Sequence, residues 1–152
     1  MNALATRRTF LAAAGLSAAT LIVRPARATP ETMKSAIRQI VGSAIVKPGK
    51  LRLDLPPLVE NGNSVTMTVT ADSPMTEKDH VKAIHVVTEK NPQPNVISAM
   101  LGPRAGKAEL QTRIRLADTQ TVIAICEMSD GSFWSDSVNV IITLGACLED
   151  PV

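Results

Sequence analysis

Short runs of alternating apolar and polar residues fill the chain from Leu51 to Leu144, and that period of two excludes a helical core. The clearest run sets Val65, Met67, Val69 and Ala71 against Ser64, Thr66, Thr68 and Thr70. Side chains on a strand alternate between faces, so this run has one face for a core and one for water. Leu51, Leu53 and Leu55 alternate in the same way with Arg52 and Asp54. His80 to Glu89 sets Val81, Ala83, His85 and Val87 against Lys82, Ile84 and Val86. Ser43–Val46, Val96–Leu101, Ala108–Leu116, Thr121–Met128 and Val138–Leu144 are further strand candidates. Turn signals separate them: Lys47-Pro48-Gly49-Lys50, Pro56-Pro57, Glu60-Asn61-Gly62-Asn63, Asn91-Pro92-Gln93-Pro94, Gly102-Pro103, Ala117-Asp118 and Ser129-Asp130-Gly131. Asp72–Asp79 reads as a polar loop. One helix precedes the strands: Thr29 can cap it, Pro30 suits its first position, Gly42 can end it, and Met33, Ile37, Ile40 and Val41 share a face. About seven short strands after one short helix predict an all-β fold, an immunoglobulin-like antiparallel β-sandwich.

The first 28 residues read as a separate unit. Thr6-Arg7-Arg8-Thr9-Phe10-Leu11 opens with a twin arginine, an Ala-rich apolar stretch runs from Leu11 to Val23, and Ala26-Arg27-Ala28 is an A-x-A cleavage site. That order is a secretory signal peptide of the Tat type, so residues 1–28 are expected to be removed and the protein to work in the bacterial periplasm. The competing reading, a membrane anchor, needs about 20 apolar residues, more than this stretch holds. The sandwich is expected over 29–144 and a flexible tail over 145–152. The leader carries Arg7, Arg8, Arg24 and Arg27 and no acid, so the formal charge of +2 becomes −2 without it. The basicity belongs to export rather than to a surface for polyanions. Aromatics are 2% of the chain, namely Phe10, Phe133 and Trp134, which leaves no platform for stacking bases, and no nucleic-acid partner is expected.

No enzyme constellation is present. The chain has no Gly-rich phosphate loop, no G-x-S-x-G elbow and no H-E-x-x-H. His80 and His85 lie five apart on one candidate strand and so face opposite sides, which does not make a metal site. Met33, Met67, Met75, Met100 and Met128 are scattered, as core fillers are. No metal and no cofactor are expected. Phe133 and Trp134 follow a turn and either anchor a partner or close the core. Arg113 and Arg115 flank Ile114 and share a face, which is either solvated or meets an anionic partner.

The two cysteines differ. Cys126 shares a strand face with Val122, Ala124 and Met128, so it is expected in the core and inert. Cys147 follows the last strand, five residues from the end, where Pro151 forbids further strand, and its thiol is expected to be exposed. A Cys126–Cys147 disulfide and an intermolecular bridge through Cys147 are the alternatives for an exported chain.

Several segments together resemble the SoxY family, the sulfur-carrying subunits of the SoxYZ complex of bacterial thiosulfate oxidation. They are Pro57-Leu58-Val59-Glu60-Asn61-Gly62, Ser73-Pro74-Met75-Thr76, His80-Val81-Lys82-Ala83-Ile84 and Lys90-Asn91-Pro92-Gln93-Pro94. The series continues with Thr112-Arg113-Ile114-Arg115-Leu116-Ala117, Glu127-Met128-Ser129-Asp130-Gly131 and Val138 to Leu144. The resemblance implies a carrier rather than an enzyme, with Cys147 holding a covalent sulfur adduct, thiosulfonate or persulfide. It implies a heterodimer with a SoxZ-like subunit. It also implies transient partners: a haem enzyme that attaches thiosulfate, a manganese hydrolase that releases sulfate, and a sulfane dehydrogenase. The family tail reads G-G-C-G-G, whereas here the tail is Gly145-Ala146-Cys147-Leu148-Glu149 followed by Asp150-Pro151-Val152. Only Gly145 and Cys147 match. Ala146 is expected to remove backbone freedom, Leu148 to add bulk, and Glu149 with Asp150 to raise the thiol pKa. A divergent paralogue that binds partners without loading sulfur, or that serves another sulfur pathway, is the alternative reading.

Overall fold

The chain is described by a computed structural model over residues 28–146. One helix, α1 (Pro30–Val41), precedes nine strands: β1 (Val46–Pro48), β2 (Leu51–Asp54), β3 (Leu58–Asn61), β4 (Val65–Ala71), β5 (Val81–Thr88), β6 (Asn95–Met100), β7 (Glu109–Ile114), β8 (Gln120–Met128) and β9 (Phe133–Leu144). The larger sheet has the order β1-β9-β8-β5-β6, with β3 also on β9, and the smaller sheet is β2-β4-β7. The expected sandwich is therefore present. All ladders are antiparallel except those that place β1 and β3 on β9, which are parallel.

The helix forms where its end signals lie. The Thr29 side chain accepts from the Thr32 amide and Thr32 answers at the Thr29 amide, so two backbone donors that a helix start leaves unpaired are satisfied. Gly42 ends it with φ of 62° while its N–H bonds to the Arg38 carbonyl. Met33, Ala36 and Val41 are buried on its inner face. They pack with Val87, Ile125 and Phe133 on the outer face of the larger sheet. The second core lies between the sheets, with Leu53, Met67, Val69, Ile84, Val86, Leu116, Val122 and Cys126 all buried there.

β4 alternates buried and exposed as its sequence does. β5 departs from its alternation because it is central. Only Lys82 is exposed along it, and a bulge against β8 between Val81 and Ala83 shifts the register. The shift places Val81 in the inter-sheet core with Ile84 and Val86, not on the face of Ala83, His85 and Val87. One strand, β3, has no counterpart among the expected strands. β1 begins at Val46 rather than Ser43 and runs into Pro48, which a strand tolerates at a sheet edge. β3 lies between Pro57 and Gly62, where turn residues on both sides mask it. β9 begins at Phe133, five residues ahead of the expected Val138.

Thr88 is fully buried and its hydroxyl has no partner. A buried, unpaired hydroxyl costs free energy that a methyl of similar shape does not. Thr88→Val is expected to raise stability by about 1 kcal/mol, read as a higher urea midpoint at unchanged slope.

Candidate functional site

The candidate carrier residue, Cys147, lies outside the described residues, as do Leu148 and Glu149 and the leader over residues 1–27. What the structure describes is the ground from which that cysteine departs. Residues Gly145 and Ala146 were expected to begin a free tail, and they do not. Ala146 is 1% exposed, and its N–H bonds to the Leu116 carbonyl at 2.8 Å. The Leu116 N–H bonds in turn to the Gly62 carbonyl at 2.9 Å, and the Gly62 N–H to the Leu144 carbonyl at 2.7 Å. Three segments distant in sequence thus close a ring of backbone hydrogen bonds at the end of β9.

Two glycines let the ring close. A Cβ on Gly145 would stand 2.0 Å from the Ala117 carbonyl oxygen. A Cβ on Gly62 would stand 2.3 Å from the Leu116 carbonyl oxygen and 3.0 Å from the Ala146 nitrogen. Both collisions are with backbone, which no rotamer change relieves. Neither glycine is among the residues with positive φ. Gly145 therefore serves close approach and not the backbone freedom expected of it.

Side chains brace the ring. The Thr119 hydroxyl accepts from the Ile142 N–H at 3.0 Å, and the Thr143 hydroxyl bonds to the Val59 and Glu60 carbonyls, each at 3.2 Å. Behind them stands Asn91, 8% exposed. Its Nδ2 donates to the Arg115 carbonyl at 2.8 Å. Its Oδ1 accepts from the Ala117 N–H at 3.0 Å and from Nε2 of Gln120 at 2.9 Å. Gln120, 2% exposed, accepts from the Lys90 N–H at 2.8 Å. Lys90 also pairs with Asp118 at 3.2 Å, an exposed contact. The Asn91 carbonyl accepts from the Ala28 N–H at 2.8 Å, so one residue ties the start of the described chain to the loop that holds its end. In the sequence, Asn91 stands in a strand break before Pro92 and Gly62 stands in a turn; no local signal shows that both converge on residue 145.

The remaining candidates lie elsewhere. Cys126 is a free, fully buried thiol in the inter-sheet core beside Val122, Ala124 and Met128, and burial pushes its pKa up. His80 stands in the loop just before β5, and His85 lies within β5. His80 contacts the Thr76 carbonyl at 3.1 Å, and His85 contacts the Ser98 hydroxyl at 2.8 Å. Among the described residues no group of three or more His, Cys, Asp or Glu side chains is placed to hold a metal ion. Phe133 is buried under α1, whereas Trp134 lies half-buried with the Lys47 and Lys50 ammonium groups 5.5 Å and 5.1 Å from its ring centre. Arg113 and Arg115 are exposed. Met33, Met67, Met75 and Met128 are buried, and Met100 is exposed.

A family model described as "Sulfur oxidation protein SoxY" matches residues 37–147. Among solved structures, the sulfur carrier protein SoxY from Chlorobium limicola f. thiosulfatophilum is 25% identical with a TM-score of 0.63. The match covers 75% of this chain and 98% of that one. The superoxide reductase (neelaredoxin) from Ignicoccus hospitalis shares the fold at 12% identity and a TM-score of 0.56, over 76% of this chain and 94% of that one. The superoxide reductase from Nanoarchaeum equitans does so at 10% and 0.53, over 63% and 100%. No curated protein matches the chain.

Two outcomes follow from this geometry. Asn91→Ala strips partners from the Ala117 N–H, the Arg115 carbonyl and the Gln120 amide at once. It is expected to cost about 2–4 kcal/mol, against less than about 1 kcal/mol for Lys90→Ala, by denaturant unfolding. The second outcome concerns His85, whose pKa burial lowers below the usual 6.5, with Glu127 opposing the shift. The folded state then binds the proton less readily than the unfolded state. Stability is expected to be full above pH 6.5 and to fall as pH drops through 6.5 toward the lowered value. In His85→Gln that part of the pH dependence is expected to vanish from a series of melting curves.

Proposed function

The chain belongs to the SoxY family, and on that premise we propose that it carries sulfur covalently on Cys147 in the periplasm and presents it to partner enzymes. The observation that carries this reading is where the family match ends. It runs through the body and stops on Cys147, directly after the hydrogen-bonded ring that fixes Ala146. A solved relative with the shared fold, 25% identical, is a sulfur carrier protein. Cys126, the other thiol, is fully buried and unsuited to exchange with any partner.

The chemistry asks little of the body. The Cys147 thiolate and the outer sulfur of thiosulfate form a sulfur–sulfur bond while two electrons leave to a haem partner. Water then releases sulfate at a manganese hydrolase and leaves a persulfide on the cysteine, with the proton passing to solvent. A sulfane dehydrogenase oxidises the remaining sulfur. The carrier itself supplies a nucleophile and its placement, and a SoxZ-like subunit is proposed as its stable partner. Export by a Tat leader at residues 1–28 fits a carrier that folds before it crosses the membrane. Among the described residues no helix is long and apolar enough to cross one.

Intact mass of the protein from its own host grown on thiosulfate tests the reading. The native chain is expected to carry a sulfur or thiosulfate adduct that reductant removes and that Cys147→Ser lacks. A bare thiol on a chain still bound to its partner subunit would overturn loading and favour a scaffold that binds without carrying. Leu148 and Glu149, in place of the family glycines, and the added Asp150 are the sequence features that favour that second reading.

A further inference from the structure

We propose that Trp134, Lys47 and Lys50 form a docking site for an acidic segment of a partner protein. The inference goes beyond sulfur carriage and concerns the other end of β9. Trp134 is the second residue of that strand and Leu144 the last. Ten residues of strand at about 3.3 Å each set them roughly 33 Å apart. A segment held at Trp134 therefore need not touch the ring at Gly62 and Leu116. Phe133 and Trp134 follow the same turn but part company in the fold. Phe133 is buried under α1, whereas Trp134 rests one side on the inter-sheet core and stays half-buried.

Each part of the cluster is held in place. Nε1 of Trp134 donates to the Ser132 hydroxyl at 3.0 Å, which fixes the ring. The β1–β9 ladder sets Lys47 beside Trp134. The turn that follows has φ of 105° at Gly49 and 51° at Lys50. Left-handed backbone suits glycine and is costly for a lysine. The turn that bears this cost sets the Lys50 ammonium 5.1 Å from the ring centre, with that of Lys47 at 5.5 Å. The two charges are not neutralised within the described residues. Lys82 and Lys90 pair with Glu127 and Asp118, whereas among the described residues Lys47 and Lys50 form no ion pair. The acids on either side of Trp134 in the sequence are engaged by backbone: Asp130 accepts from the Ser132 N–H and Asp136 from the Leu53 N–H, each at 2.8 Å. A fixed indole with two unpaired cations at its ring is the rigid aromatic anchor that interface hot spots use. Its complement has carboxylates for the ammonium groups and methylenes for the indole, as glutamate does. The groove on the other side of Lys50 bounds the site, because Arg52 there is offset by Asp54 and Asp72.

Trp134 is the one tryptophan and the chain has no tyrosine, so its fluorescence reports the site directly. The test titrates the protein with a hexaglutamate peptide at low salt. A saturable change in emission is expected, with a midpoint that weakens as ionic strength rises. Lys47→Gln combined with Lys50→Gln is expected to weaken the midpoint roughly tenfold, and each single variant roughly threefold, with the melting curve kept. Lys34→Gln, on the exposed side of α1, is expected to leave the midpoint in place. A titration that stays flat to millimolar peptide overturns the docking site and leaves Trp134 as a cap on the core. An emission change that persists at the same midpoint in the folded double variant overturns it too. So does a change that sodium sulfate reproduces at matched ionic strength, because that response belongs to ions in general and not to an acidic segment.

Discussion

A twelve-residue strand has to satisfy backbone groups along both of its edges, and β9 is where this fold meets that demand. β8 bonds to it along one side from Phe133 to Val140. The other side is too long for any single strand in the chain. Two short strands share it in parallel, β1 beside Phe133 to Ser135 and β3 beside Ile141 to Leu144. In the gap between them the Asp136 carboxylate accepts from the Leu53 N–H at 2.8 Å and so ties the smaller sheet to the larger. The helix packs on Phe133 at one end of the strand, and the glycine ring closes at the other. The sheet–sheet link, the helix dock and the tail root are thus three attachments to one strand.

The sequence exposes what depends on neighbours along the chain. The alternation of β4, the capped helix and the inward face of Cys126 all follow from spacing within one segment, and each stands where that spacing places it. What the sequence hides depends on partners far away. β1 and β3 pair with the open edge of β9, and the residues around them, Pro48-Gly49 at the end of β1 and Pro56-Pro57 and Asn61-Gly62 about β3, argue for turns. The bulge that moves Val81 to the inter-sheet core is set by the β8 register, which no window of β5 contains. Asn91 and Gln120 show the same limit, since a polar pair in and beside loops looks solvated until the fold buries both.

Gly145 is the sharpest case. A glycine two residues before the candidate carrier cysteine invites an argument from flexibility, and the family pattern of glycines encourages it. The structure gives the opposite reason, because the residue is small so that two backbones can touch. Ala146 then fits without cost, its methyl buried where a freely moving arm would have wasted it. The departure from the family tail at that position is consistent with a folded root. The departures at Leu148 and Glu149 follow Cys147 in the sequence, outside the described residues.

The direction in which β9 leaves the body has a mechanical consequence. A cysteine gripped by a partner and pulled outward along the strand axis drags on β9 from its end. The ladders to β8 and β3 run beside that axis, so their hydrogen bonds share the load in shear and do not peel one at a time. The ring at Gly62 and Leu116 is the first element in the line of force. A load on the end of the chain therefore meets those backbone hydrogen bonds before it reaches the ladders of the sandwich.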